Sequence, residues 1–200
     1  MMKEKPDILR QRLKELMVFF ARELKYPAKT TMWKVLGELD FRHFQETGAP
    51  VTFVHYKAYP NGPVPHDLHV EITRDLDVVI PDDMRDSLRT TKEVYAVDED
   101  RKPRFTITFH ALRSPDLSIF TPRQQRIMKE VADIYKTTSA KDASRASHEP
   151  GKPWTVTVAR KGEGEFIDYL DLIDKKSKIT RGEAAEKMKE MLAFQHNHPS

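Results

Sequence analysis

Several histidines of this chain lie close together in the sequence, beside a turn, and histidine is a common metal ligand. The chain has eight histidines and no cysteine, so a metal site would need imidazole and carboxylate ligands instead of thiolates. His66 and His69 are three residues apart and would share a helical face, with Glu71 nearby and His55 able to join only through the fold. This is not the His-Glu-x-x-His spacing of zinc proteases. We interpret these residues as surface histidines near a turn and predict no metal site.

A second group, Ser147-His148-Glu149, has the composition of a catalytic triad. Adjacent residues cannot generally align as nucleophile, base and orienting acid, because the fold assembles triads from separate positions. We predict instead that His148 and Glu149 bond to backbone at a tight turn while Trp154 fills a pocket. The one glycine pair in a loop, Gly162-Glu163-Gly164, lies in a charged turn and does not resemble a phosphate-binding loop. The sequence therefore predicts no catalytic residue, no cofactor and no enzyme.

The composition favours a folded chain with a large charged surface. Of 200 residues, 38% are hydrophobic and 32% are charged, and no apolar run approaches the ~20 residues that span a bilayer. The first residues, MMKEKPD, lack the apolar centre of a signal peptide. Together with the absence of cysteine, this makes a cytoplasmic location and no membrane partner the simplest expectation. A net charge of +3 is too small for a dedicated nucleic-acid-binding face.

Charge is distributed unevenly along the chain. Residues 71–100 contain ten carboxylates and only four basic side chains. Within this segment Pro81-Asp82-Asp83 is typical of a short helix that begins with carboxylates at its positive end. One interpretation is an ordinary solvated surface. The other is a patch complementary to a basic partner, with Asp82 and Asp83 as contact residues.

A rigid bend at Tyr59–Leu68 separates two parts of the chain, and we call it the proline elbow. It has three prolines and a glycine within six positions, which cannot continue a helix or a central strand. The preceding run, Val51 to Tyr59, is typical of a short strand or an extended arm. We predict that Gly62-Pro63-Val64-Pro65 docks the first half of the chain against the rest. An ordinary loop with prolines is the alternative.

Helical periodicity accounts for most of the remaining sequence. Leu9 to Leu24 forms one apolar stripe, and a second helix is predicted to be capped by Thr30 or Thr31 and ended by Gly48. Further helices are predicted at Leu68–Val79, from Pro81 to Leu88, from Thr121 to Tyr135, from Ser139 to Ala146, at Glu165–Ile173, and after a capping box at Thr180.

Two segments alternate in the way that a half-buried strand does. Phe105, Ile107 and Phe109 alternate with polar residues, and Glu93–Val97 precedes them across a polar loop. We predict a hairpin near 93–112 and an extended segment at Trp154–Val158. The predicted fold is α+β: a mainly α-helical single domain over residues 1–200, with a small antiparallel sheet. Its core would cover 8–175, its C-terminal helix 181–195 and a frayed tail 196–200.

Several of these segments, taken in order, resemble the Panacea domain, also called the SocA-like or GepA-like domain. Trp33–Phe41 resembles the family's lysine-led apolar helix, K-L-L-Y-F-x-D, and Gly62-Pro63-Val64-Pro65 matches its Gly-Pro-Val-Pro signature. The remaining similar segments are Thr47-Gly48 with Val51 and Tyr56-Lys57-Ala58, then Phe120-Thr121-Pro122, Ser139-Ala140, and Ser147-His148-Glu149 with Trp154. The resemblance covers roughly residues 8–175.

Membership of that family implies an antitoxin of a toxin–antitoxin system, as used in phage defence. Such domains neutralise a toxin encoded beside them, often in a direct protein complex, and some act as adaptors to a protease such as a Clp-type machine. No cofactor is implied. The residues expected to bind a partner or to form the structural signature are Gly62, Pro63, Val64, Pro65, Asp82, Asp83, His148, Glu149 and Trp154.

Two other functions are compatible with the residues. Pro122–Tyr135 with Ala140–Ala146 could form a helix-turn-helix in which Lys141 and Arg145 contact phosphates, as in a nucleic-acid-binding or autoregulatory protein. An uncharacterised enzyme is the third hypothesis, which a bound metal or ligand would favour. The direct-binding antitoxin is the interpretation that the sequence supports best.

Overall fold

A computed structural model describes residues 8–74, 77–97 and 103–197. Its helices are α1 (Ile8–Glu23), α2 (Lys29–Thr47), α3 (His66–Ile72), α4 (Pro122–Tyr135), α5 (Ala140–Ser147), α6 (Pro153–Lys161) and α7 (Arg181–Asn197). Its strands are β1 (Tyr56–Tyr59), β2 (Gly62–Pro65), β3 (Thr73–Arg74), β4 (Asp77–Val78), β5 (Leu88–Val97) and β6 (Pro103–Ala111). Within these residues the strands form antiparallel pairs, β1 with β2, β3 with β4 and β5 with β6. The predicted α+β, mainly helical fold is confirmed.

Helix α2 lies at the centre of the fold and packs against α1, α4, α5, β2 and β6. It is buried over most of its circumference, because the apolar residues between Met32 and Leu39 do not keep to one face of the helix. Its predicted end is confirmed, because Gly48 has a φ of 76° and its N–H bonds to the Phe44 carbonyl at 2.7 Å. Its predicted start is wrong. The N-cap is Ala28, so Thr30 and Thr31 lie inside the first turn and cap nothing.

The hydrophobic core has two parts, one on each side of α2. The larger part joins α1, α2, α4 and the β5–β6 hairpin, and its most buried large side chains include Phe20 and Phe109. The smaller part gathers Phe41, Phe44, Tyr56 and Tyr169 in an aromatic cluster with ring centroids 5.1 to 6.4 Å apart. Edge-to-face packing of this kind adds to the energy of simple burial. The side chains of α2 therefore connect both parts.

The β5–β6 hairpin confirms the strongest strand prediction. Ile107 and Phe109 are buried, while Val94 and Tyr95 on the partner strand are 60% and 66% exposed. Strand β5 begins at Leu88, so that residue belongs to a strand and not to the short helix predicted after Pro81. That helix is a single 3₁₀ turn at Asp82–Met84.

Two predictions in the C-terminal half are wrong. Trp154–Val158, predicted as extended, lies in α6, where Pro153 occupies the first helical turn. The β-branched residues favoured a strand, but tertiary packing overrode that propensity. Glu165–Ile173, predicted as a helix, runs instead alongside β1 and ends in a 3₁₀ turn at Tyr169–Leu172. The Asp168 side chain accepts from the Leu170 N–H at 2.9 Å and so favours the tight turn.

The helix predicted at Leu68–Val79 is also too long. Helix α3 ends at Ile72 and the chain turns back through β3 and β4, while the predicted inward residue Leu76 lies outside the described residues. Capping predictions at Thr121, Ser139 and Thr180 are confirmed by their side-chain bonds. Helix α7 continues to Asn197, so residues 196 and 197, predicted to fray, are helical; 198–200 lie outside the described residues. No helix among the described residues is both long and apolar enough to cross a membrane.

Candidate functional site

The proline elbow contains the second strand of a β-hairpin. Among the described residues this strand pairs only with β1, which agrees with the prediction that the elbow cannot continue a central strand. Gly62–Pro65 forms β2 and pairs with β1, placing Pro63 opposite Ala58 and Pro65 opposite Tyr56. Ala58 donates its N–H to the Glu165 carbonyl at 2.9 Å, on the side away from β2. The prolines therefore stand at positions where the ladder needs no N–H donor. We call the β1–β2 hairpin the arm.

Lys34 of helix α2 holds the tip half of the arm. Its side chain is 3% exposed, and its Nζ donates to the Pro63 carbonyl at 2.9 Å. Desolvation on burial lowers the pKa of Lys34 from 10.5 to about 7. The contact requires a glycine beside it, because a Cβ on Gly62 would lie 2.2 Å from the Ser147 Oγ and 2.8 Å from the Lys34 Nζ. Gly62 also has a φ of 100°, which side-chain-bearing residues rarely adopt.

Asp40, further along the same helix, holds the base of the arm. Its carboxylate is fully buried and accepts from the N–H groups of Val51 and Thr52 at 2.7 and 2.9 Å, and from the Tyr56 hydroxyl at 2.9 Å. The Thr52 hydroxyl donates a fourth bond. Burial raises the pKa of Asp40 to about 6, although each of these bonds pulls it back down. The chain then leaves this site through Phe53, whose φ is 59°.

Trp154 and His148, from the C-terminal part of the family motif, pack on the arm at the end away from Asp40 of α2. Trp154 donates its indole N–H to the Tyr59 carbonyl at 2.7 Å, and its ring lies 3.9 Å, centroid to centroid, from the His148 ring. The Ser147 hydroxyl donates to the Ser144 carbonyl at 2.7 Å and so does not engage His148 as a nucleophile would. Glu149 is exposed, and its carbonyl accepts from Thr155.

The signature residues are thus brought together, but inside the protein. All four residues of β2 are buried, and they pack against α2, α5 and α6. Lys34 and Asp40 both lie in the Trp33–Phe41 segment, and the sequence alone predicts no role for either side chain. The available signal was a lysine and an aspartate in an otherwise apolar helix surface, since buried charges are rare unless they have partners.

Asp82 and Asp83 lie apart from this junction. Arg10 of α1 bonds Asp83 at 2.8 Å and Glu71 at 2.7 Å, and the bond to Arg10 lowers the pKa of Asp83. Asp82 pairs with Arg85, and its side chain remains 89% exposed. Four of the acidic residues counted in the sequence, Asp75, Asp98, Glu99 and Asp100, lie outside the described residues. The described part of the acidic patch is therefore partly neutralised from within the chain.

The histidines near the elbow have separate partners. His66 meets the Tyr59 hydroxyl at 3.1 Å, His69 the Thr73 hydroxyl at 3.1 Å, and His55 the Asp67 carboxylate at 3.2 Å. Across residues 8–74, 77–97 and 103–197 no three histidine, aspartate or glutamate side chains gather closely enough to hold a metal ion.

The two helices of the suggested helix-turn-helix are present as α4 and α5, and both pack against α2. Arg145, proposed to reach a phosphate, bonds Asp142 of its own helix at 2.9 Å. Lys141 is exposed.

A comparison with known protein families matches more than half of the chain. Residues 32–155 fit the family model described as "Antitoxin SocA-like, Panacea domain". The matched stretch runs from the first turn of α2 into α6 and contains Lys34, Asp40, the arm and Trp154. No curated protein and no solved structure gave a significant match.

Proposed function

We propose that this chain, which belongs to the Panacea-domain family of SocA-like antitoxins, neutralises a protein toxin encoded by a neighbouring gene by binding it directly. The family match over residues 32–155 carries this proposal, and the family resemblance noted in the sequence is thereby confirmed. In this role the chain acts in the cytoplasm as a binding protein and catalyses no reaction. The cognate toxin is its partner.

The geometry supports a preformed binding surface. Helix α2 holds the arm at Lys34 and at Asp40, and Trp154 covers the arm from α6. A surface that is already ordered binds without the entropic cost of folding on contact. Because β2 is buried, we assign the Gly-Pro-Val-Pro signature to scaffolding and place the toxin contact elsewhere.

Two exposed features are candidates for that contact. The outer part of the β5–β6 hairpin presents Val94 and Tyr95, two consecutive large side chains that are both more than half exposed, and a tyrosine of this kind suits the core of a protein interface. The face around Asp82 and Asp83 is acidic and would suit a basic toxin surface. We propose that the hairpin supplies apolar contact and that the acidic face steers association.

Co-expression with each flanking reading frame tests the proposal. One neighbour is expected to stop growth when expressed alone, to be tolerated with this chain, and to co-purify with it on an affinity column. If no neighbour is toxic, the antitoxin role is wrong for this chain. A Tyr95→Asp variant should weaken rescue, whereas Tyr26→Asp, at an exposed tyrosine outside both candidate features, should not.

An adaptor mechanism and a steric mechanism predict different lifetimes for the toxin. If the chain delivers its toxin to a Clp-type protease, the toxin half-life should fall when both proteins are present and recover in cells lacking the protease. If the chain acts by steric blocking, the toxin should accumulate in a stable complex and rescue should not depend on the protease. Pulse-chase measurement of the toxin separates the two.

A further inference from the structure

We propose that the open edge of strand β5 binds an extended segment of the partner protein, which adds to the β5–β6 hairpin as a third strand. This inference rests on the proposed function and specifies how the hairpin makes its contact. Among the described residues the hairpin is a two-stranded sheet, so β5 pairs along one edge, with β6. The regular part of the other edge runs from Thr90 to Val94, because the register shifts between Val94 and Ala96.

The register of the hairpin shows which backbone groups of β5 point outward. Phe109 donates its N–H to the Pro27 carbonyl at 3.0 Å, on the side of β6 that faces away from β5. Phe109 lies opposite Thr90, and in an antiparallel ladder such wide pairs alternate with pairs that exchange both hydrogen bonds. The backbone N–H and C=O groups of Thr90, Lys92 and Val94 therefore point away from β6.

These outward groups have no partner within the described part of the chain. No backbone hydrogen bond joins Thr90, Lys92 or Val94 to another described segment. The three residues repeat along the edge at every second position, about 6.8 Å apart. This spacing of donors and acceptors matches the backbone of another extended chain, which is the basis of strand addition. A helix could not bind in this way, because its own N–H and C=O groups are already paired.

The side chains along the open edge indicate what kind of segment fits. Val94 is 60% exposed and lies opposite Phe105, on the same face of the hairpin as the buried Ile107. The core-facing side of the hairpin is thus uncovered at Val94, and an apolar side chain of the added strand would cover it. The next open position is Lys92, whose ion pair with Asp77 spans 3.9 Å, so a carboxylate opposite it would be favourable. We expect an extended segment with an acidic residue two positions from an apolar one.

A second copy of this chain fits the same edge less well. An antiparallel register that pairs Thr90, Lys92 and Val94 with the same three residues of another copy places one Lys92 directly opposite the other. Like charges at directly opposite positions destabilise a pair of strands, and a lysine on an edge strand is a common device against self-association. A different protein with a carboxylate at that position has no such conflict.

Amide hydrogen exchange tests the inference when it is followed by NMR in the free chain and in its complex with the toxic product of the neighbouring gene. The amides of Thr90, Lys92 and Val94 should exchange rapidly in the free chain and at least tenfold more slowly in the complex. The amides of Thr91 and Glu93 bond to β6, so they should be protected in both states and serve as internal controls. Unchanged exchange at the three outward amides, in a complex that does form, would overturn this inference and leave direct binding intact.

Val94→Pro and Val94→Thr are matched variants at the open edge. Proline removes the outward N–H, which no hydrogen bond within the hairpin uses, whereas threonine keeps that donor and the β-branched shape. Val94→Pro should weaken binding of the toxic product at least tenfold and Val94→Thr less than threefold, with thermal melting used to confirm that both variants fold. Equal affinities of the two variants would contradict strand addition at this edge.

Two further outcomes would also overturn the inference. Protection of the three outward amides in the free chain that increases with its concentration would assign the edge to a second copy. If the toxic product does not bind the wild-type chain, the proposed function is wrong and this inference fails with it.

Discussion

Lys34 and Asp40 are two buried charges on one helix, and both hold the same hairpin arm, yet their surroundings differ. The Asp40 carboxylate accepts four hydrogen bonds from Val51, Thr52 and Tyr56. The Lys34 ammonium donates one, to the Pro63 carbonyl. A buried charge whose bonding capacity is filled serves structure, because nothing else is needed to stabilise it. One that is underused costs free energy in the folded chain, and burial then lowers the pKa of the lysine toward its neutral form.

The difference assigns separate tasks to the two ends of the arm. The Asp40 end fixes where the arm leaves the helix, together with the aromatic cluster of Phe41, Tyr56 and Tyr169. The Lys34 end lies beside Gly62 and Ser147, where space is short. We therefore expect substitutions at the Asp40 end to act on stability. Those at the Lys34 end should act more strongly on the pH dependence of stability.

The largest expected effect is that of Asp40→Ala. It leaves the N–H groups of Val51 and Thr52 and the Tyr56 hydroxyl buried without their acceptor, at roughly 1–3 kcal/mol each and not fully additive. We expect a loss of about 3–5 kcal/mol in the free energy of unfolding, measured by urea denaturation. Asp40→Asn, which keeps the size and one carbonyl acceptor, should lose less. A loss below about 1 kcal/mol for the alanine variant would show that Asp40 does not anchor the arm.

Gly62→Ala comes next, and the chain offers a matched control in Gly162→Ala. The two glycines have φ values of 100° and 102°, but a Cβ on Gly162 would meet nothing within 4 Å. Both variants carry the backbone penalty of a side chain at positive φ, roughly 1–3 kcal/mol, and only Gly62→Ala also pushes against Ser147 and Lys34, for about 1–3 kcal/mol more. Equal destabilisation of the two variants in denaturation curves would refute the close packing inferred at Gly62.

Lys34→Met should change stability at pH 7 by less than about 1 kcal/mol, because an apolar side chain of similar length removes a desolvated charge as well as its single bond. Its signature is the pH dependence. The pKa of Lys34 is about 7 in the folded chain against 10.5 ordinarily, so the unfolded chain binds more protons between these values. The stability of the wild type relative to Lys34→Met should therefore rise with pH from about 7 to 10.5. Parallel stability curves for the two proteins over that window would contradict the assignment.

The smallest effect on the fold is expected for the double substitution Asp82→Lys with Asp83→Lys. The side chains of Asp82 and Asp83 are 89% and 49% exposed. Surface ion pairs such as theirs with Arg85 and Arg10 contribute about 0–1 kcal/mol to stability. Association with the toxin should slow several-fold if the acidic face steers a basic partner. Asp133→Lys on α4 is the control, since that aspartate is exposed and pairs with the surface residue Lys129 of its own helix. Unchanged association kinetics would remove Asp82 and Asp83 from the interface.

Local signals in the sequence were sufficient for much of the fold. The cap at Thr121, the glycine at position 48 and the alternation around Ile107 each act within a few residues, and the structure contains the feature that each predicts. The prediction of an extended segment at Trp154–Val158 is wrong, because its β-branched residues favour a strand but the segment forms a helix that begins at Pro153. That outcome depends on tertiary packing, which local propensity does not contain.

The candidate sites were less accessible to sequence reasoning. Lys34 bonds the carbonyl of Pro63, which lies 29 positions further along the chain. Burial of Lys34 and Asp40 can be seen only once the arm is folded onto α2, since neither residue has a partner within its own helix. Periodicity predicts which face of a helix is buried, but it does not predict how many hydrogen bonds a buried charge will find there.

The most direct test of the account is to mix the purified chain with the purified toxic product of the neighbouring gene and to measure the mass of the mixture by size-exclusion chromatography with light scattering. We expect a single complex of defined stoichiometry and loss of toxin activity in that complex. Two separate peaks, with the toxin still active, would contradict neutralisation by direct binding.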